Sequence, residues 1–246
     1  TIDELTKKDP SIMLLVDSLF ADLEAKGVTL SGSNEKETIK KVYEYFFNKS
    51  LFTYLWDLGG TIQTVGQTFA RGGGNSGDFA AVFLSILREV FYRLGNDAVR
   101  SRLSFAPVMV NAFAPISPDN QGVGHSGMTY EEPAGGKLYY IEPSYLFNGA
   151  GAGQTLSGDN ILMELASSLI LDGKAVPTVK TNVISDHSWY VALDTTNAIQ
   201  GTAKQYRKKS LFTPESPVTV SLVSNSSEKA ASIPSYIEPY DTAVND

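Results

Sequence analysis

The sequence predicts an α+β fold in which N-terminal helices and one central helix pack on an antiparallel sheet. Three observations predict it. Apolar residues recur at helical spacing over the first fifty positions. A long, unbroken helical stripe then runs from Phe79 to Leu94, and after Gly95 the period shortens to that of strands.

The first helix is announced by Asp9-Pro10, an N-cap followed by a first-turn proline. Ile12, Leu15, Val16, Leu19, Phe20 and Leu23 carry its apolar face, and Gly27 stops it. A second helix starts near Asn34, where Asn34-x-x-Glu37 resembles a capping box, with Ile39, Val42, Tyr43, Phe46 and Phe47 inward. Phe52, Tyr54, Leu55 and Trp56 form an aromatic cluster expected to be buried against these helices. Thr61–Ala70 is polar and reads as helical more than extended. The central helix follows Gly72-Gly73-Gly74-Asn75-Ser76-Gly77 and shows Phe79, Val82, Phe83, Ile86, Leu87, Val90, Phe91 and Leu94 on one face.

Beyond it, Val99–Phe105 and Pro107–Ala114 read as two short strands, and Met128–Tyr130 and Lys137–Glu142 as two more. The last two are joined by a loop holding Pro133 and Gly135-Gly136. Residues 145–160 suggest a long loop, Asp159 caps a helix reaching about Leu171, and Trp189–Leu193 and Val218–Val223 are later strands. From residue 224 the chain reads as a polar, extended arm. Tyr140-Ile141-Glu142-Pro143 recurs as Tyr236-Ile237-Glu238-Pro239, which is too short to define a repeat.

Composition excludes several classes of function. The chain has 246 residues, 42% of them apolar, and 11% aromatic residues argue against disorder. A net charge of −7 gives no footprint for nucleic acid or anionic lipid. No apolar run is long enough for a membrane span. With no cysteine and only His125 and His187, thiolate chemistry, disulfides and a histidine-rich metal cluster are ruled out or disfavoured. The chain opens on Thr1-Ile2-Asp3-Glu4 without a basic, apolar leader; its Ser/Thr/Asn-rich, acidic composition suits a secreted or cell-surface bacterial protein, though a cytosolic one would look similar.

Gly72-x-Gly74-x-x-Gly77 formally matches a dinucleotide fingerprint, but that motif needs a strand before it and an acidic residue ending the next strand. Thr61–Ala70 does not read as a strand, and Asp97 precedes the next strand instead of ending it. No lysine and hydroxyl residue follow the glycines, so a P-loop is excluded. No cofactor is expected.

Gly74-Asn75-Ser76-Gly77-Asp78-Phe79-Ala80, the long helix, and Leu94-Gly95-Asn96-Asp97-Ala98-Val99-Arg100 together resemble the transglutaminase-like superfamily of papain-type cysteine enzymes. The resemblance covers roughly residues 36–146. In that family a Gly-x-Cys-x-Asp-Phe/Tyr-Ala motif opens the helix, a histidine opens a later strand and an acidic residue ends the strand after it. It implies a papain/transglutaminase-like core with Ser76, His125 and Glu142 at the three site positions. His125 and Glu142 are 17 residues apart, which suits neighbouring antiparallel strands. His187, in Asp186-His187-Ser188-Trp189, is the alternative histidine; its next acidic residue, Asp194, is too close for an intervening turn and strand.

Serine stands where the family carries its nucleophilic cysteine, and glutamate where it carries aspartate. A thiol is deprotonated by a helix N-terminus and an imidazole far more readily than a hydroxyl is. The expectation is therefore a transglutaminase-like domain that binds a peptide, protein or cell-wall glycan segment without catalysis. The alternative is an active hydrolase or acyl transferase on peptide amides, through a Ser76–His125–Glu142 triad or through a natural cysteine at position 76. Each residue also has a plain structural reading: Ser76 as a helix N-cap bonded to the Phe79 backbone, His125 as a surface loop residue, and Glu142 as the exposed end of a strand. The expected organisation is an N-terminal helical segment over 1–33, the core over 34–150, a helix and strands over 151–223 and the polar arm over 224–246.

Overall fold

The computed structural model describes residues 9–55, 62–111, 114–117, 119, 123–149, 151, 156–171, 173–181, 189–193, 203–209 and 214–221. Helix α1 spans Pro10–Ala25. Asp9 Oδ1 accepts from the Ser11 amide at 2.8 Å, Pro10 sits in the first turn, and Gly27 ends the helix with a φ of 69°. Helix α2 spans Glu35–Phe47 and buries Ile39, Val42, Tyr43, Phe46 and Phe47. Its start at Asn34 is as expected, but the Asn34 side chain makes no capping bond, so the capping box does not form.

The next segment makes a small parallel pairing between β1 (Thr53–Tyr54) and β2 (Gly73–Gly74), with α3 (Val65–Arg71) between them. Thr64 and Gln67 close a capping box at the start of α3, and Gly72 ends it in the left-handed region. Phe52 is buried and meets Phe69 of α3 edge-on at 5.0 Å, with Phe79 and Phe147 also around it, while Tyr54 and Leu55 are half-buried. Among the described residues the ring contacts of the aromatic segment run to Phe69, Phe79 and Phe147 and not to the first two helices. Trp56 lies outside the described residues.

Helix α4, Ser76–Arg93, is the centre of the core. Every residue from Phe79 to Leu87 is buried, which makes it a helix enclosed on all sides rather than an amphipathic one lying on a surface.

The first expected strand dissolves. Asp97–Arg102 is a 3₁₀ turn, and a single strand β3 runs from Leu103 through Asn111. Pro107 does not divide it: β3 pairs with β4 on both sides of the proline, while its other neighbour, β9, pairs only from Val108 onward. The missing N–H therefore falls where that second ladder has not begun. Strand β4 is Val123–Glu131, longer than expected, and β5 is Leu138–Ile141, joined by a turn through Pro133–Gly135.

The helix expected from Asp159 to Leu171 is absent. That segment holds a 3₁₀ turn at Gly158–Asn160, then β6 (Met163–Glu164) and β7 (Ser167–Leu171). A short apolar run fits either period, and here Gly173, at a φ of 75°, turns β7 back onto β8 (Lys174–Thr181). Strand β9 is Trp189–Leu193, as expected. The seven strands order as β6-β5-β4-β3-β9-β8-β7, antiparallel throughout. A separate antiparallel pair joins β10 (Ala203–Lys209) to β11 (Pro214–Ser221), which covers part of the expected strand at Val218–Val223.

Among the described residues the α-helices all precede the sheet in sequence, so α and β elements are segregated and the fold is mixed α and β with an antiparallel sheet. A dinucleotide fingerprint at Gly72–Gly77 would need a strand before the glycines and a parallel partner for the strand after α4; here α3 precedes them, and β3, which follows α4, pairs antiparallel with both of its neighbours.

Candidate active site

The site begins at the N-terminus of α4. Asn75, not Ser76, is the cap: its Oδ1 accepts from the amides of Gly77 at 3.0 Å and Asp78 at 3.2 Å. Asp78 Oδ2 answers by accepting from the Asn75 amide at 2.9 Å. Ser76 is thus the first helical residue, and its hydroxyl takes no part in capping. That corrects the N-cap reading of Ser76, because an asparagine one position earlier already satisfies the donors.

Asp78 also ties down the chain before α3. Its Oδ1 accepts from the Gln63 amide at 2.6 Å and its Oδ2 from Gln63 Nε2 at 3.0 Å. Burial pushes the Asp78 carboxyl up to about 6, against the pull of these donors and of the Arg71 charge. The glycines before the helix are packing devices. A Cβ on Gly73 would lie 2.3 Å from the Thr53 carbonyl oxygen, and one on Gly74 would lie 2.4 Å from Asp78 Cβ. At these two positions the missing side chain lets the chain pass close to its neighbours. The backbone amide of Ser76 donates to Tyr54 Oη at 2.9 Å, so β1 supplies a phenol directly over the first turn of α4.

The second part is built on β4 and β5. His125 lies inside β4, opposite Val108 of β3, and is buried, so it is not a loop residue. Glu142 follows the last residue of β5 and is also buried, which overturns the exposed strand-end reading. His125 Nε2 lies 2.9 Å from Glu142 Oε2 and 3.1 Å from Oε1. Tyr140 Oη donates to Oε2 at 2.5 Å, and the Ser144 amide donates to Oε1 at 3.1 Å. Burial pushes the Glu142 carboxyl up, but the His125 charge and these hydrogen bonds outweigh it and hold the group below its ordinary value. The dyad accordingly favours a charged carboxylate facing an imidazole, the arrangement that orients a histidine for acid–base work. The ring nitrogen not engaged by Glu142 is Nδ1.

The link between the two parts runs through Tyr43 of α2. Its hydroxyl donates to the Glu142 carbonyl at 2.6 Å, and its ring meets Phe83 edge-on at 5.7 Å. Phe83 is two turns along α4 from Ser76, about 10 Å at helical rise. The structure therefore joins His125 to Glu142 directly, while among the described residues no hydrogen bond joins Ser76 to His125. His187 and the arm from residue 224 lie outside the described residues.

Tyr43, Tyr54, Gln63, Gly127 and Tyr140 are absent from the sequence-based site. Tyr140 and Gly127 left a signal, since one stands two residues before Glu142 and the other two after His125, each on the same face of its strand. Among the described residues no three acidic or imidazole side chains converge as metal ligands, and no helix is long and apolar enough to cross a membrane. Comparison with protein-family models, with curated proteins and with solved structures finds no match to this chain.

Proposed function

We propose that this chain is a transglutaminase-like, papain-type module in which Ser76 occupies the nucleophile position, and that it holds a peptide or glycan segment without cleaving it. The observation that carries this reading is the sealed His125–Glu142 pair, formed by two residues that the motif resemblance singled out. Two features favour binding over turnover. A serine hydroxyl cannot form the thiolate–imidazolium pair of a papain-type site. The Ser76 amide, the backbone donor nearest a carbonyl under attack at position 76, is already bonded to Tyr54.

The test has two arms. A fluorophosphonate probe is expected to leave Ser76 unlabelled, and peptide-amide substrates are expected to survive incubation; cleavage or crosslinking that His125→Ala abolishes would overturn the non-catalytic reading. In the second arm, a casein digest and a muropeptide mixture are titrated into isotopically labelled protein. Resonances of residues 75–80 and 125 should move with one of them, and the binding claim fails if they move with neither.

A second reading, an active acyl-transfer site, is favoured by one specific observation. An acid–base pair buried this deeply is costly to hold and is readily replaced by apolar packing where it has no chemical role. On this reading Ser76→Cys creates a thiol that iodoacetamide alkylates faster than a free thiol, and His125→Ala removes the excess. Ordinary thiol reactivity in Ser76→Cys counts against it.

A further inference from the structure

The register between β4 and β5 places Thr129 opposite Tyr140 and Met128 opposite Ile141. Glu142 continues the chain one residue past the last pair of that ladder, in the direction of Gly127. Strand alternation then puts His125, Gly127, Tyr140 and Glu142 on one face of the sheet. A Cβ at Gly127 would lie 2.4 Å from Tyr140 Cε2, 2.5 Å from its Oη and 2.7 Å from its Cζ. The Tyr140 ring thus fills the space that any other residue at 127 would occupy. From that seat its hydroxyl reaches Glu142 Oε2 at 2.5 Å.

A glutamate has one more rotatable bond than the aspartate of the resembled family, so its carboxylate needs more holding. Here the Ser144 amide holds Oε1, Tyr140 holds Oε2, and His125 Nε2 spans both. We infer that Tyr140, seated on the bare backbone of Gly127, is a positioning residue for the His125–Glu142 pair: it fixes which way the Glu142 carboxylate faces. The assignment rests on the geometry of the pair and holds whether the cleft binds or reacts.

The titratable groups around the carboxylate are His125 from β4, Tyr140 from β5 and Tyr43 from α2, with the Tyr145 phenol near that of Tyr140. Tyr43 reaches the Glu142 carbonyl and leaves the carboxylate oxygens to the others. Tyr140 donates to the anionic form of Glu142 and draws off part of its charge. Without that donor the carboxylate becomes a stronger acceptor for the His125 proton and holds the imidazolium more tightly.

The experiment is an imidazole titration followed by nuclear magnetic resonance on the full chain. Only two histidines are present, and His187→Gln assigns the pair. Tyr140→Phe is expected to raise the His125 midpoint by a few tenths to about one in pH. Gly127→Ala, which displaces the ring from the opposite strand, should move the midpoint in the same direction. The two together should move it no further than Tyr140→Phe alone. In the unsubstituted chain the Tyr140 hydroxyl proton should give a slowly exchanging, downfield resonance. A folded Tyr140→Phe variant with an unmoved midpoint overturns the inference. So does a rapidly exchanging Tyr140 hydroxyl, which needs no variant to fold.

Discussion

His125 and Glu142 meet at 2.9 Å with side chains 0% and 3% exposed. Tyr140 and the Ser144 amide hold the Glu142 carboxylate locally, but the pairing with His125 spans 17 residues. One lies inside β4 and the other just past β5, and the antiparallel register brings them together. A buried pair of this kind is worth little relative to apolar packing, but it is punishing to break, because the remaining partner is left in a dry site.

Glu142→Ala is therefore expected to lower the unfolding free energy by about 3–5 kcal/mol, read by urea titration at neutral pH. The dependence on pH follows from the direction of the shift. The folded carboxyl sits below its ordinary value near 4.5, so the folded chain releases this proton more readily than the unfolded chain. Its contribution is present above that value and is lost as pH falls through the folded one. The stability gap between the unsubstituted chain and Glu142→Gln should accordingly close below about pH 4.5. A gap that stays constant to pH 3 contradicts the account.

Asp78 carries the opposite sign. Burial raises its carboxyl from 3.8 to about 6, so the folded chain binds that proton more tightly. Its contribution is greatest below the unfolded value and is lost as pH rises through the folded one. Measured against Asp78→Asn, stability should fall by about 2 kcal/mol between pH 4 and pH 7. A flat difference over that window would show that the three N–H donors hold the carboxylate charged throughout.

These two acids also mark how far the sequence could be read. Helices α1, α2 and α4 were legible because caps and a 3.6-residue period are local signals, and Asp9-Pro10 and the stripe from Phe79 to Leu94 needed no tertiary context. Ser167–Leu171, two serines followed by three apolar residues, is too short to show a period of its own; the left-handed Gly173 and the strand's pairing with β8 decide it. Likewise Val99–Arg102 alternates like a strand yet coils as a 3₁₀ turn that feeds β3. His125 and Glu142 were found through motif order. Gly127 and Tyr54 were not, since a bare backbone and a phenol over a helix terminus are meaningful only once register is known.

Gly74 offers a test of packing at the helix start. A Cβ there would lie 2.4 Å from Asp78 Cβ and 2.6 Å from its Oδ2, and that carboxylate is pinned by Asn75 and Gln63. Because the obstructing side chain cannot swing aside, Gly74→Ala is expected to cost about 1–3 kcal/mol in chemical denaturation. Truncating the obstacle should absorb part of the loss, so Gly74→Ala with Asp78→Ala should destabilise by less than the sum of the two. Strict additivity would place the clash elsewhere.

The clamp between α2 and the sheet is set by Glu35. Arg102 Nη1 lies 2.6 Å from Glu35 Oε2, Nη2 reaches Oε1, the Tyr130 hydroxyl reaches Oε2, and Asn96 Nδ2 donates to Oε1 at 3.0 Å. Glu35 is 9% exposed and Arg102 18%, so water cannot replace a lost partner fully. Burial pushes the Glu35 carboxyl up, yet the Arg102, Tyr130 and Asn96 bonds prevail and leave it below its ordinary value. Arg102→Met keeps much of the stem's packing and removes the charge, which strands the carboxylate between a phenol and an amide. A loss of about 2–4 kcal/mol is expected, read as a lower urea midpoint at neutral pH. Lys137, paired with Glu164 at 2.9 Å, provides the contrast: with side chains 58% and 38% exposed, Lys137→Met should leave that midpoint unmoved. Equal shifts in the two variants would mean that the Glu35 cluster is solvated in solution and does not clamp α2 to β4.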